Sequence, residues 1–576
     1  MLTYNDLRKN LKKGSSHLPV IKSVLLGDTS TQFLAVALQG IAIERGYKLD
    51  LFEADYNQVE HQALSPDSEF HTFEAKYTII FQSTRKLMDT YDRLTPVRRS
   101  VLAEERIEFV KQICSTRSNT IIYCNYPEMD DTVFGGFANK VRKSFLYQIR
   151  KLNYELMEMA VAIPNLFICD LAMIQSELSR NFCFDSSLYV NGDMVLSLES
   201  LPCVAARMMD IICACQGSIK KCVIVDLDNT LWGGVIGDDG IEGIQVGHGL
   251  GNGKIFTEFQ HWLKKLKERG IILAVCSKNN EEMAKEPFLK HPEMVLRLDD
   301  IAVFSANWEN KVDNIRRIQS ILNIGFDSMV FLDDSPVERA IVRKNIQGIT
   351  VPELPEDPAD NLRYLYSLNL FETISFLEEN AERTKLYQEE YVRTQAMAKF
   401  NNEIEFLNSL EMKATVKSFE PFDFPRIAEL SQRSNQFNLR TVRYTEADVL
   451  RLSRDENYKT FTFQLKDKYG DYGLICFVVL KKLDNNTLFI ENWIMSCRVF
   501  KRGIEHFVMN SITSYANEHG YNCIIGEYLP TEKNKIVAEH YGRFGFIESE
   551  KSENSTAQYF LQMKHTVEFN CQIEKL

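Results

Sequence analysis

The chain has 576 residues, of which 45% are hydrophobic and 25% charged, and its net charge is −12. This length exceeds what one hydrophobic core supports, so several domains are expected. The acidic balance argues against a general nucleic-acid-binding protein, which would carry a basic excess. No apolar run approaches the roughly 18–20 residues that span a bilayer. The N-terminal residues lack a signal-peptide pattern, and the thirteen cysteines contain no CxxC pair, which predicts a cytoplasmic protein with reduced thiols.

The first two hundred residues alternate short apolar runs with helical patterns. The predicted strands are 21–27, 48–53, 77–81 and 119–124, with a helix from Thr31 to Arg45 between the first two. Such an alternation predicts a parallel, three-layer α/β domain. We expect this domain to end near Gly217, after an apolar helix over 204–215.

One turn of this domain is similar to the nucleophile block of SGNH-type esterases. It reads Gly27-Asp28-Thr29-Ser30, and in that family the serine follows the first strand. Asn125 stands where the family places an asparagine, and the segment 191–197 resembles its closing Asp-x-x-His block, with Leu196 at the histidine position. A serine nucleophile needs a general base within hydrogen-bond reach, and leucine cannot accept a proton. We therefore predict a degenerate, hydrolase-like domain used for binding or docking, with an active esterase as the alternative.

The central part of the chain begins with an apolar run, 223–225, that ends in Asp226 and Asp228. A short apolar run bounded by turn residues predicts a buried parallel strand. Open α/β sheets bind ligands just beyond the carboxyl ends of such strands. Two carboxylates this close repel each other unless a cation offsets their charge, and Mg²⁺ is the simplest candidate.

Further polar side chains follow the next strands of this part. The run 271–277 ends at Ser277, the run 328–332 ends at Asp333 and Asp334, and Lys311 opens a helix between them. Phosphoryl transfer needs such a set: a nucleophile, an acid/base, a metal, and hydroxyl or cationic groups on the phosphate oxygens.

These residues resemble, in order, the four motifs of the haloacid dehalogenase (HAD) phosphatase superfamily. A closer resemblance is to its FkbH-like branch, subfamily IIIC, and it covers roughly residues 218–400. The segments that carry it are Asp226-Leu-Asp-Asn-Thr-Leu-Trp-Gly-Gly-Val-Ile-Gly237, Val275-Cys-Ser-Lys-Asn-Asn280, Phe304-Ser-Ala-Asn-Trp308 and Val351-Pro-Glu-Leu-Pro355. Every motif residue is present, so nothing in the sequence favours the alternative, a HAD fold that has lost its chemistry.

The resemblance implies a role for each motif residue. Asp226 attacks phosphorus and forms an aspartyl phosphate, while Asp228 protonates the leaving oxygen and later activates water. Ser277 and Lys311 bind phosphate oxygens. The implied Mg²⁺ ligands are Asp226, the Asp228 backbone carbonyl and Asp333, with Asp334 close behind.

The intervals between motifs predict a site without a large cap. The first holds one glycine-rich flap and one amphipathic helix near 256–266, and the second, 278–311, has room only for a helix, a strand and short loops. FkbH-like proteins are associated with taking a glyceryl unit from a phosphorylated three-carbon metabolite and loading it on an acyl carrier protein. The resemblance therefore implies these two partners. Cys276 is a candidate acyl-bearing thiol, with a buried strand cysteine as the alternative.

The charged stretch 377–407 predicts an exposed helical connector. Beyond it the chain resembles the GNAT acyltransferase fold, in which the turn before a long helix holds a pyrophosphate through backbone amides. The predicted strands are 412–419, 461–465, 470–480, 488–495 and 521–526, and the predicted helices are 505–519 and 534–541.

The residues that suit this pyrophosphate turn are Arg498, Lys501, Arg502 and Gly503, and Asn534 and Tyr541 match a later block of the family. Phe500 and Glu505 depart from the family pattern, and Glu505 would repel phosphate. The groove could still take the phosphopantetheine arm of a carrier protein as well as acyl-CoA. A non-catalytic docking domain is the alternative.

The predicted architecture is a multi-domain α/β protein with a central HAD-like (Rossmannoid) parallel sheet. The predicted boundaries are 1–217 for the SGNH-like domain, 218–370 for the HAD-like domain, 371–411 for the connector, 412–566 for the GNAT-like α+β domain and 567–576 for a tail. Three functions remain open. They are a Mg²⁺-dependent phosphatase coupled to acyl transfer onto a carrier, a plain phosphomonoesterase acting on a small metabolite, and a scaffold that binds a phosphorylated ligand.

Overall fold

The computed structural model describes residues 2–576 except 56, 66, 117–118, 250, 378–379, 381, 390–401, 485, 501, 532, 550–556 and 564–567. The chain divides into two compact units, Met1–Cys215 and Gln216–Leu576. The predicted connector and the predicted boundary at 566 fall partly outside the described residues, and the domain boundaries stay predictions.

Among the described residues, the first unit is built on a five-stranded parallel sheet of order β2-β1-β3-β4-β5. Its central strands are buried along their whole length because helices cover both faces. The strands are β1 Val20–Gly27, β2 Lys48–Glu53, β3 Tyr77–Phe81, β4 Thr120–Cys124 and β5 Leu166–Cys169. The helices are α1 Tyr4–Asn10, α2 Gln32–Glu44, α3 Val59–Leu64, α4 Glu69–Thr72, α5 Thr84–Arg93, α6 Pro96–Arg99, α7 Leu102–Thr116, α8 Phe145–Ala162, α9 Leu171–Leu178, α10 Arg180–Cys183, α11 Ser186–Gly192 and α12 Leu201–Cys215.

The second unit begins with a four-stranded parallel sheet of order β8-β7-β6-β9 in its described part. The strands are β6 Cys222–Val225, β7 Ile272–Ser277, β8 Val303–Ala306 and β9 Met329–Leu332. The helices are α13 Ile236–Gly243, α14 Asn252–Glu268, α15 Glu281–Lys290, α16 Lys311–Leu322, α17 Pro336–Asn345 and α18 Asn361–Ser367. The first interval therefore holds two helices rather than the one predicted. The glycine-rich flap conceals α13 in the sequence, and Gly240, at φ +66°, interrupts its helical backbone.

The remainder of the second unit contains an eight-stranded mixed sheet of order β15-β16-β14-β13-β12-β11-β10-β17, counted over the described ranges. Strands β10 to β13 are antiparallel neighbours, whereas β13 and β14 are parallel and α22 connects them. The strands are β10 Met412–Lys417, β11 Tyr458–Asp467, β12 Gly470–Leu483, β13 Thr487–Met495, β14 Cys523–Tyr528, β15 Ile547–Glu548, β16 Ala557–Gln562 and β17 Ile573–Lys575. The helices are α19 Glu403–Ser409, α20 Phe424–Arg433, α21 Glu446–Arg454, α22 Ile504–Glu518 and α23 His540–Arg543.

The predicted helix 534–541 is wrong. The chain forms a short 3₁₀ turn, Lys535–Val537, and then α23. The Asn534 side chain accepts from Thr531 N and donates to the Leu529 carbonyl, so it closes the preceding loop instead of opening a longer helix.

Two parallel sheets followed by a mixed sheet confirm the predicted multi-domain α/β fold class. In the part of the chain that the structure describes, every helix is too short or too polar to cross a bilayer.

Candidate active site

Three of the predicted site residues meet at the carboxyl edge of the four-stranded sheet. Strand β6 pairs in parallel with both β7 and β9, with Val225 opposite Val275 and Leu332. Asp226 directly follows β6, Ser277 ends β7, and Asp333 directly follows β9. All three are buried. The order of the strands, and not the sequence spacing, therefore brings the residues together.

Lys311 contacts two of these carboxylates. It is the first residue of α16, where the Asn310 side chain accepts from Asp313 N and fixes the first turn. Its Nζ lies 3.1 Å from Asp226 Oδ1 and 2.5 Å from Asp333 Oδ2. Burial alone would lower the pKa of Lys311, but the two carboxylates outweigh burial and raise it, so the ammonium group stays charged.

Asp226, Asp333 and Asp334 form a cluster that fits a divalent cation. One carboxylate oxygen from each lies within 4.8 Å of the other two. Three carboxylates against the single ammonium of Lys311 leave two negative charges without a partner within this cluster. Burial raises the pKa of all three carboxyl groups, which shows the cost of ionising them together without a further cation. An all-oxygen donor set of this kind suits Mg²⁺.

The oxygens of the cluster differ in their hydrogen bonds. Asp226 Oδ1 is buried and makes no well-aligned hydrogen bond, although the Lys311 ammonium lies beside it. Asp333 Oδ1 accepts from Ser335 N at 2.9 Å, and Asp334 Oδ1 accepts from the Thr230 hydroxyl at 3.3 Å. Asp226 Oδ1 is thus held by the charge of Lys311, which suits an attacking carboxylate or a metal ligand.

Asp228 has different surroundings from Asp226. It is half-buried, and its Oδ1 accepts from Trp232 Nε1 at 2.9 Å and from Ile236 N at 3.0 Å. Its Oδ2 accepts from Asn279 Nδ2 at 2.9 Å. Trp232 and Asn279 were not predicted as site residues, although both stand inside the quoted motif segments. Their side chains fix the orientation of the Asp228 carboxylate.

The structure argues against Cys276 as an acyl-bearing thiol. Its side chain is fully buried in the core between β7 and α16, and its sulfur donates to the Lys311 carbonyl at 3.9 Å. Burial raises the pKa of the thiol to about 12. A nucleophilic cysteine must be a thiolate that a substrate can reach. Because side chains alternate along a strand, Cys276 and Ser277 point to opposite faces of β7.

The residues predicted to hold a pyrophosphate do not gather at one place. Gly503, at φ +76°, lies next to α22 and lines one cavity, whereas Arg498 lines another. Arg502 turns inward: its Nη1 donates to the Tyr472 hydroxyl and lies 3.7 Å from Asp467 Oδ2. Lys501 lies outside the described residues. Arg502 therefore neutralises an internal carboxylate, and the pyrophosphate clamp that the GNAT resemblance implies stays a prediction.

Asn534 and Tyr541 are internal residues of the mixed-sheet region. Their side chains are 0% and 1% exposed. Asn534 donates to the carbonyls of Asn438 and Leu529, and the Tyr541 ring packs against Phe546. A direct contact with a ligand would require these side chains to leave the core, so their predicted binding role has no support in this geometry.

In the first unit, the position of the missing histidine is filled by a core residue. Leu196 is 4% exposed, while Ser30 N donates to the Asp193 carbonyl at 2.9 Å. The Asp193 carboxylate pairs with Lys86 at 2.9 Å. Leucine cannot act as a base for the serine, which agrees with the predicted degenerate domain. The absence of esterase activity stays a prediction.

Comparisons with known proteins place the chain beside phosphatase-containing proteins. A family model described as FkbH, N-terminal domain, matches residues 22–213. The N-terminal part of the protein BF1531 from Bacteroides fragilis, which contains a phosphatase domain and was crystallised in complex with Mg, is 59% identical. It aligns with a TM-score of 0.64 over 65% of this chain and 100% of that chain. No curated protein matches the chain.

Structural similarity to N-acetyltransferases is found over about a quarter of the chain. The Escherichia coli ribosomal-protein-S18-alanine N-acetyltransferase is 16% identical, with a TM-score of 0.21, over 27% of this chain and 97% of that chain. Ard1 from Thermoplasma volcanium is 20% identical, with a TM-score of 0.21, over 26% of this chain and 97% of that chain.

Proposed function

The chain belongs to the FkbH-like family of HAD phosphatases, and we propose that it dephosphorylates a small phosphorylated metabolite with Mg²⁺ and passes the acyl unit to an acyl carrier. The observation that carries the phosphatase reaction is the meeting of Asp226, Ser277, Lys311 and Asp333 at one sheet edge, with Asp228 held beside them. This set supplies every group that phosphoryl transfer through an aspartyl phosphate needs.

In the first half of the reaction the Asp226 carboxylate attacks phosphorus, and the bond from phosphorus to the leaving oxygen breaks. Asp228 gives a proton to that oxygen, from an orientation fixed by Trp232 and Asn279. Lys311 and Ser277 bind the phosphoryl oxygens as their negative charge develops. In the second half Asp228 takes a proton from water, and the resulting hydroxide releases phosphate from Asp226.

The residues that would hold Mg²⁺ are Asp226, Asp333 and Asp334, together with the Asp228 carbonyl. When bound, Mg²⁺ offsets the surplus negative charge of the cluster and of the phosphoryl group. The Thr230 hydroxyl, which donates to Asp334 and accepts from Asp334 N at 3.0 Å, keeps that carboxylate in place.

The acyl-transfer part of the proposal is supported by the open rim of the site. Exposed apolar side chains stand after β8 and β9: Trp308, in the loop that follows β8, is 77% exposed, and Val337, in the first turn of α17, is 64% exposed. The exposed indole of Trp308 offers a large apolar surface that suits contact with a partner. Among the described residues of the first interval, α13 and α14 form the additional cover, and a substrate or acceptor attached to a carrier can reach a site covered in this way.

The experiment offers a three-carbon acid that carries a phosphate ester and whose carboxyl group is activated as an acyl phosphate, with Mg²⁺ and with or without an acyl carrier protein. The carrier thiol attacks the activated carbonyl and the phosphate of the acyl phosphate leaves, while release of phosphate from the ester and the mass of the carrier are measured. The proposal predicts phosphate release that stops on chelation, and a carrier that gains the mass of the acyl unit. Asp226→Asn should lower turnover by about 10⁴-fold or more because the amide cannot attack phosphorus. Undiminished turnover in that variant would refute the mechanism.

A plain phosphomonoesterase is the second candidate, and the burial of Cys276 favours it because that burial removes the thiol proposed to carry an acyl group. Phosphate release that is independent of the carrier, with a carrier of unchanged mass, would support this reading.

A further inference from the structure

A second polar cavity lies at the opposite edge of the four-stranded sheet from the catalytic residues. Its volume is about 290 Å³, and it opens between that sheet and the mixed sheet. Lys221 lines it and directly precedes β6, whereas Asp226 directly follows the same strand. On the other side it is lined by α20 and by the turn that follows β13, which carries Arg498. The cavity is therefore separate from the site of phosphoryl transfer.

Three arginines of this cavity share one carboxylate. Glu429 is almost fully buried, and its oxygens lie 2.7 Å from Arg383, 2.6 Å from Arg426 and 3.2 Å from Arg433. One negative charge among three guanidinium groups leaves two positive charges uncompensated. Charges in such a half-buried place are screened less than surface charges are.

The other charged residues of the lining add to this surplus. Lys533 pairs with the Asp327 carboxylate, so these two charges cancel. Lys221 donates its ammonium hydrogen to the Arg433 carbonyl, which carries no formal charge. With Arg498, the charged side chains named here sum to four positive charges in excess, which a bound anion would offset.

Arg498 has a buried side-chain nitrogen that lacks a hydrogen-bond partner among the described residues. Its Nε donates to the Ser496 hydroxyl at 3.3 Å, but its Nη1 is buried and has no hydrogen-bond partner among the described residues. Burial, followed by repulsion from Arg426 and Arg383, lowers the pKa of Arg498 to about 10. A buried guanidinium N–H without an acceptor is costly, so an anion in the cavity would supply the acceptor that the described residues do not give to Arg498 Nη1.

We propose that this cavity binds a compact anion that carries a phosphate or pyrophosphate group, with Arg498 as its principal ligand. The planar guanidinium fork matches phosphate oxygens in two-point contact. The volume lies near the lower end of the roughly 300–1,000 Å³ that is typical of small-molecule sites, so the ligand is smaller than a complete acyl-CoA. Tyr387 and Phe437 also line the cavity and can contact an organic part of the ligand.

The test titrates the full chain with inorganic phosphate and with inorganic pyrophosphate in a calorimeter, in the presence of EDTA. Without a divalent cation, the carboxylate surplus at Asp226, Asp333 and Asp334 disfavours anions at the catalytic edge. The proposal predicts saturable binding that weakens by about tenfold or more in Arg498→Gln, because a charge-assisted hydrogen bond is lost. In Lys533→Gln, an exposed rim charge, binding should weaken by roughly threefold.

Arg543→Gln is the matched control. Arg543 is exposed and lines the different cavity that contains Gly503, so its replacement should leave the affinity unchanged. Circular dichroism and thermal unfolding verify that each variant is folded, and Lys533→Gln provides an independent answer if Arg498→Gln is not folded.

Tighter binding of pyrophosphate than of phosphate would assign a pyrophosphate-bearing ligand, and equal binding would assign a single phosphate group. The proposal is overturned by the absence of binding, by equal affinity in Arg498→Gln and the unchanged chain, or by a loss in Arg543→Gln alone.

Discussion

Asp226 and Asp228 are two residues apart in sequence, yet the fold gives their carboxylates different environments. Asp226 is buried beside the Lys311 ammonium and keeps one oxygen without a well-aligned hydrogen bond. Asp228 is half-buried, and three donors hold both of its oxygens. A buried carboxylate paired with a lysine suits attack on phosphorus, and a half-buried carboxylate of fixed orientation suits proton transfer. The different roles that the family resemblance implied thus have a physical basis in the surroundings.

Two neighbouring asparagines allow this positioning of Asp228 to be tested. Asn279 donates to Asp228 Oδ2, whereas the Asn280 side chain accepts from Met283 N and caps α15. Asn279→Ala should lower kcat by roughly tenfold with little change in KM, because a loosely held acid/base transfers protons less efficiently.

Asn280→Ala serves as the control for that change. Loss of the cap should lower the free energy of unfolding by about 1 kcal/mol and leave kcat unchanged. Steady-state kinetics and chemical denaturation of both variants make the comparison. Equal kcat values in Asn279→Ala and Asn280→Ala would contradict a positioning role for Asn279.

At the scale of elements, the flap after β6 is held in place by its own hydrogen bonds. Gly234 N donates to Asn229 Oδ1 at 3.0 Å, and Val235 N donates to Asp239 Oδ2 at 2.8 Å. Gly234 has φ +90°, and a Cβ there would lie 2.6 Å from Asp239 Oδ2. The flap is therefore a defined turn that leads into α13, from which Ile236 N reaches Asp228.

A change at this turn should disturb the site through the flap. Gly234→Ala is expected to lower kcat/KM by roughly tenfold, because the strained turn, at a cost of about 1–3 kcal/mol, displaces the segment that donates to Asp228. Gly237→Ala is the matched control, since a Cβ at Gly237 meets nothing within 4 Å. Similar kcat/KM values in the two variants would show that the flap does not position the site.

The sequence predicted the site at the level of elements because strand ends are local features. Short apolar runs marked β6, β7 and β9, and the residues that follow them could be assigned to one sheet edge. The position of Arg498 could not be predicted in this way. Its neighbours Arg383 and Arg426 are far away in the sequence, and their meeting depends on how two sheets pack. The pairing of Arg502 with Asp467 was also missed, because Asp467 is distant in sequence. A basic residue near a glycine is, in addition, equally compatible with a ligand or with an internal carboxylate.

At the scale of the whole molecule, the catalytic edge and the anion-binding cavity lie at opposite ends of one parallel sheet. Asp226 and Lys221 are at the two ends of β6. The catalytic edge is completed by α16 and by the loops of its own sheet, whereas the cavity needs α20 and Arg498 from the mixed-sheet region. The two sites should therefore respond differently to removal of that region.

A chain that ends at Ser375 tests this separation. Its extent is comparable to the share that the N-terminal part of BF1531, a crystallised protein, covers. The cavity residues that it would expose from its own sheet include Lys221, Asn323 and Asp327, which water can solvate. Phosphate release should persist within about threefold of the full chain, because the residues that carry the reaction and those that would hold Mg²⁺ all precede Ser375. Transfer to a carrier protein, and the binding of pyrophosphate in EDTA, should both be lost. Phosphate assays, the mass of the carrier and calorimetry are compared between the two chains. Loss of phosphate release from a folded, truncated chain would show that the mixed-sheet region completes the catalytic site. Retained acylation of the carrier would show that this region does not handle the acyl group.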